Sequence, residues 1–265
     1  MRRRASLVAL ALVAGLSRQA SALEGDVRRT PWSSASVYTV PARRWEFGLF
    51  QNAHYGVNRH VELALHPLLT FVLPHLEVKV TALETATSAL GVKARISYPT
   101  GFLALVSREG SGGLLPKTSE PPFALQIEGD LGGTLALAAG HRVSAWLGLA
   151  VAPHAHFTPE ELPLLDFPFL YPRFAAVYTP LVPRAALDAE GALLARCYYH
   201  VGLTGYLLPQ LPDVGNAFAV EPLLSLEYRP SDHVALSLGL RSSYAKYPVG
   251  ARFHTLPFGD VRVGF

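Results

Sequence analysis

Few side-chain groupings in this chain have the types and spacing that chemistry needs. His154-Ala155-His156 sets two imidazoles on one side of an extended segment, with Glu160, Glu161 and Asp166 nearby, the donor types a metal ion takes. Pro153 and Pro159 bracket the pair and make it a loop, where histidines are usually only solvated, so no metal is assigned. Gly112-Gly113 and Gly132-Gly133 lack the helix start and lysine of a phosphate loop, and no cofactor is assigned either. Ser237 and Ser243 share one face of an alternating segment, but their neighbours offer no obvious histidine at the same height to act as base. The informative group is charge at alternate positions: Glu62, Glu77, Lys79, Lys93, Arg95, Glu128, Asp130, Glu227, Arg241, Asp260 and Arg262. Five bases and six acids nearly cancel, so enclosed side chains of this set should pair across neighbouring elements. If the enclosure is wide enough for water, the same set lines a path with weak ionic preference.

The elements that carry these charges repeat with period two. Leu76, Val78, Val80 and Ala82 face away from Glu77, Lys79 and Thr81, and after a polar turn Leu90, Val92, Ala94, Ile96 and Tyr98 face away from Gly91, Lys93, Arg95 and Ser97. A helix would scatter the charges around its circumference, so strands win. Segments near 44–52, 60–66, 76–84, 89–98, 122–138, 142–152, 192–207, 218–229, 233–246 and 256–265 read as strands, and 100–108 and 168–180 are ambiguous. Stretches 109–122, 153–168 and 208–217 read as loops, and 139–142 and 229–233 as tight turns. Several strands reach the roughly 9–11 residues that a tilted strand needs to cross a bilayer. Aromatics near strand ends (Trp45, Tyr98, Tyr171, Tyr228, Tyr244 and Phe265) suit an interfacial girdle. A water-soluble sandwich also alternates, but the face opposite the leucines here is rich in Gly, Ser, Thr and Ala, as a crowded lumen requires.

The ends of the chain add a compartment. Arg2, Arg3 and Arg4, an apolar run from Ala5 to Leu16 and the close Ala20-Ser21-Ala22 form the three parts of a secretory signal peptide, with cleavage expected after Ala22. Losing Arg2, Arg3, Arg4 and Arg18 takes the formal charge from +3 to −1, which removes the support for nucleic-acid binding. Cys197 is the only cysteine, so no intramolecular disulfide forms. No later segment is apolar enough for a membrane helix, while a barrel that shows lipid every second residue is permitted. At the carboxyl end Val261, Val263 and Phe265 alternate with Asp260, Arg262 and Gly264.

On the Ala20-Ser21-Ala22 site, W-E-F-G-L-F at 45–50, Y-G-V-N-R-H-V-E-L at 55–63, the repeated hairpins and the terminal V-R-V-G-F, the chain resembles the bacterial outer-membrane β-barrel, porin-like superfamily. The resemblance covers nearly the whole mature length as architecture. It departs at Asn58-Arg59, where the opening turn of such barrels commonly carries Thr-Asp, and this leaves the subfamily open. It implies an all-β fold, an antiparallel transmembrane up-and-down β-barrel of ten to twelve strands with twelve favoured by the even counts of such proteins. Residues 1–22 are then the signal peptide, 23–43 a periplasmic N-terminal lead-in and 44–265 the barrel. It also implies outer-membrane lipid as surroundings and the barrel-assembly machinery as a partner through Gly259 to Phe265. Lipid A deacylases of this architecture carry a His-x-Ser pair that is absent here, and a rim protease would have only Asp166 and His156 to draw on. No catalytic residue is assigned. The expected function is a porin- or transporter-like channel for small solutes, with a closed structural or interaction barrel as the alternative and a rim-sited hydrolase behind both.

Overall fold

The computed structural model describes residues 30–71, 73–98, 125–137, 140–152, 181–208, 217–247 and 250–265. Twelve strands follow one another in chain order: β1 (Trp45–Gly48), β2 (Ala53–Gly56), β3 (Val61–Leu65), β4 (His75–Glu84), β5 (Ser88–Ser97), β6 (Gln126–Ala136), β7 (His141–Val151), β8 (Leu181–Leu194), β9 (Cys197–Leu208), β10 (Ala217–Ser231), β11 (Val234–Tyr247) and β12 (Gly250–Gly264). Each is antiparallel to its sequence neighbours, and β1 pairs with β12 through Glu46↔Gly264, Phe47↔Val263 and Gly48↔Arg262, which closes a barrel. Closure through these three pairs joins the first and last strands at the end where β1 begins, and an unpaired sheet edge there would be costly in a bilayer.

Side chains alternate across the wall in the opposite sense to a water-soluble barrel. Leu131, Leu147 and Leu238 are each 68% exposed on the outside, whereas Glu62, Glu128 and Arg95 are buried inside. Small residues make room for the large interior ones. Gly132 lies opposite Trp146 in the β6–β7 ladder, and a Cβ on that glycine would overlap the indole. Gly140, with φ of 84°, takes the left-handed conformation in the β6–β7 turn that a residue with a Cβ resists.

The two ends differ. Short turns at 57–60, 85–87, 195–196 and 232–233 lie at the end where β1 begins and β12 stops. At the other end the strand ends Leu65 and His75, Ser97 and Gln126, Val151 and Leu181, and Leu208 and Ala217 stand further apart in sequence. Trp45, Phe47 and Phe265 stack in sequence outside the short-turn end, with ring centroids 5.7 and 5.8 Å apart, and Tyr228 joins them on the exposed face near that rim. Tyr244 is exposed towards the other end, Tyr98 is half-buried, and Tyr171 lies outside the described residues.

The favoured count of twelve matches the structure, but two of the strands are not those anticipated. The 44–52 segment stops at Gly48 because Asp260 accepts hydrogen bonds from the Leu49 and Phe50 N–H groups and turns the chain back into β2. The 192–207 segment is divided at Ala195-Arg196, and its first part belongs to β8, which starts at Leu181. Stretches 100–108, 109–122 and 168–180 lie outside the described residues, as do residues 1–29 and the 153–168 loop.

Candidate functional site

The interior is built from charges that the strand registers bring side by side. Glu62 of β3 is opposite Lys79 of β4, with Nζ 3.2 Å from the carboxylate, and His54 Nδ1 lies 2.8 Å from the same oxygen. Glu77 is opposite Arg95 and pairs with it, and Arg95 is opposite Glu128, 3.5 Å away. Lys93 is opposite Asp130, again at 3.5 Å, and its ammonium lies 4.8 Å from the Trp146 ring. Arg184 of β8 reaches across β7 to Asp130 with Nε at 2.7 Å and Nη2 at 2.5 Å, and pairs with Glu128 as well. It passes over Gly148, which is the register partner of both Asp130 and Arg184. On the other side of the lumen Arg262 bridges Glu46 (2.5 Å) and Glu227, and Glu227 also pairs with Arg229. Arg142 pairs with Glu190 at 2.6 Å, and His200 Nε2 lies 2.8 Å from Asp188.

The structure thus gathers ten of the eleven residues picked from sequence into pairs or caps. Asp260 acts through backbone N–H groups, and Arg241 is the exception, half-buried on β11 with no ion pair or hydrogen bond among the described residues. Glu46, Arg142, Arg184, Asp188, Glu190, Glu221 and Arg229 are also lumenal and were missed. Glu46 had a usable signal, since it sits between Trp45 and Phe47, which face outward.

A second missed feature is the path of the segment before β1. Residues 23–43 were expected as a periplasmic lead-in, but residues 30–40 lie inside the barrel in its short-turn half. Ser33 donates from its N–H and its hydroxyl to Glu46, each at 2.7 Å. Trp146 Nε1 donates to the Ala35 carbonyl at 2.8 Å. Val37 donates from its N–H to Thr134 Oγ1 (2.9 Å) and accepts from Thr81 Oγ1 (2.8 Å). The Val40 N–H donates to Glu62 Oε2 at 2.8 Å. Val37 and Tyr38 pack with Ala89 and Trp146 in the one buried apolar cluster among the described residues. The irregular backbone, with Pro31 and Pro41, leaves N–H groups without sheet partners, and interior carboxylates leave acceptors without donors; each satisfies the other.

The segment crosses the lumen from the β1–β12 side to β4–β7. Beside it a cavity of about 510 Å³ remains against the wall from β7 to β12, lined by Arg142, Glu190, Tyr198, His200, Glu227 and Arg229.

The serine expectation needs correcting. His254 of β12 is the register partner of Ser243, so a histidine does stand at that height. Only the strand registry, which a single sequence hides, could have shown it. The β10–β11 ladder brackets Glu221 against Ser243 from the other side, so the order across the sheet is acid, serine, histidine. A nucleophile–base–acid relay needs the histidine in the middle. His154, His156, Glu160, Glu161 and Asp166 lie outside the described residues.

A closed, antiparallel twelve-stranded cylinder with leucines outside and paired charges inside has the architecture of a membrane-spanning β-barrel. No protein-family model matches the chain, and no curated protein matches it in sequence. Among solved structures it is similar to outer-membrane expressed OmpT of Vibrio cholerae, with a TM-score of 0.42 and 8% identity over 81% of this chain and 64% of that one. It is also similar to a bacterial polysaccharide outer membrane secretin, with a TM-score of 0.44 and 10% identity over 84% of this chain and 69% of that one. The chain spans less than two thirds of the first of these.

Proposed function

We propose that this protein is an outer-membrane channel for small polar solutes, narrowed by its own N-terminal segment. The observation that carries this is the cavity of about 510 Å³ that persists between residues 30–35 and the charged wall. In this reading the signal peptide exports the chain, the barrel-assembly machinery takes the strand from Gly259 to Phe265, and the short-turn end faces the periplasm, as in other bacterial barrels. Pairing of acids with bases along the wall supports weak selectivity between cations and anions. No enzymatic step is part of the reading.

Two observations favour a closed structural barrel instead: the segment spans the lumen, and most of the interior charge among the described residues is internally compensated. Planar-bilayer recording from refolded protein separates the two. The intact chain should give small, stable conductance steps, and a chain lacking residues 24–40 should give larger ones. Silence from both would contradict the channel.

A further inference from the structure

The barrel wall is uneven in height. β8 to β12 have 12–15 residues each, whereas β1 and β2 have four and β3 has five. β12 meets β1 only through Arg262, Val263 and Gly264. From Gly250 to Gly259 it is laddered to β11 on one side and to no described strand on the other. At about 3.3 Å per residue that edge runs for roughly 30 Å along the strand. Pro257, which has no N–H to offer a ladder, stands within it, as proline does on edge strands. Large apolar side chains stand exposed on the links that top the low part of the wall: Leu49 and Phe50 between β1 and β2, Leu68 and Phe71 between β3 and β4.

The lumenal face changes character at this gap. Elsewhere it carries ion pairs, but here Leu223, Leu256 and Phe258 occupy inward positions on β10 and β12, with the polar Glu221, Ser243 and His254 following on the same face towards the open end. Phe258 lies over Gly239, where a Cβ would come within 2.5 Å of its Cζ. Arg241 stands in register between Leu223 and Leu256, without a carboxylate among the described residues. The other four bases of the sequence-derived set all have one.

We propose that this seam binds an amphipathic monoanion, an unbranched alkyl chain ending in one carboxylate, and opens laterally to the bilayer. The carboxylate takes the fork of the Arg241 guanidinium, and the chain runs along Leu223, Leu256 and Phe258 towards the gap above the β1–β2 turn. A single half-buried cation with apolar flanks complements one charge and a tail; a polar solute would leave the leucines uncovered, and a neutral lipid would leave the arginine unanswered. The inference goes beyond the channel reading by adding an amphiphile site beside the polar path, and it rests on that reading for access to the lumen.

The test uses the full chain in phosphatidylcholine vesicles with undecanoate carrying a terminal dansyl group. Saturable blue-shifted emission beyond that of protein-free vesicles, displaced by dodecanoate and not by dodecyltrimethylammonium, is expected. Arg241→Gln should weaken binding about tenfold or more, and Phe258→Ala should weaken it independently. Folding of each variant is checked by heat-modifiable electrophoretic mobility. Unchanged affinity in both folded variants, or equal displacement by the cationic amphiphile, overturns the site. Conductance is scored on the same samples: steps without dodecanoate binding remove the site and leave the channel, and binding in a silent barrel does the reverse.

Discussion

At Gly148 a missing side chain decides how three strands share charge. Arg184 reaches Asp130 only by passing over β7, and a Cβ at position 148 would overlap the Asp130 carboxylate. Gly148→Val should therefore separate the pair and leave buried charge uncompensated, at a cost of about 3–5 kcal/mol. Urea unfolding from vesicles measures it, and an unchanged midpoint would refute the crossing. The Glu62 site makes a related prediction. Glu62→Leu strands Lys79 and the Val40 N–H together, and should cost a similar amount, whereas the double variant Glu62→Leu with Lys79→Leu should lose clearly less. Equal losses in single and double variants would mean that Lys79 does not depend on Glu62. Single residues of this kind were partly legible. Lys79, Arg95 and Glu128 announce themselves by parity within long alternating runs. Arg184, Asp188 and Glu190 do not, because alanine, glycine and Pro183 around them give β8 little strand propensity.

The N-terminal segment is where sequence and structure diverge most. Prolines and a lack of periodicity mark residues 30–43 as irregular, and irregular chain is ordinarily placed in solvent. What draws it inward is the set of acceptors on β1, β3 and β6, which become neighbours only once the sheet has closed. In a Cys197→Ser background, the Val37→Cys thiol should resist a membrane-impermeant maleimide while the barrel is folded and react fully in denaturant. Adding Trp146→Phe, which removes the donor to the Ala35 carbonyl, should speed labelling several-fold. Rapid labelling of the folded single variant would place the segment outside the barrel. Periodicity does not separate β2 from β1 for a comparable reason: four residues are too few to show a period, and the boundary between them is set by Asp260, far along the chain, so only the resemblance of 55–63 to a strand–turn–strand opening pointed to it.

For the molecule as a whole, period-two patterning was enough to give fold class and closure, because an exposed leucine face opposite a charged one is stable in only one solvent. Strand neighbours follow from chain order, so topology was legible too, while registry and the uneven wall height depend on turn geometry and long-range caps. The outer face predicts a graded response to charge: Leu238→Arg should destabilise the barrel by about 2–4 kcal/mol if that position lies near the bilayer midplane. The most direct test compares two adjacent residues of β11. Nitroxides attached singly at Leu238 and Ser237 in vesicles should report opposite surroundings. The label at 238 should collide with oxygen and escape a water-soluble nickel complex, and the label at 237 should favour the nickel complex. If the two labels exchange these responses, the leucines face the interior and the molecule is not a membrane barrel.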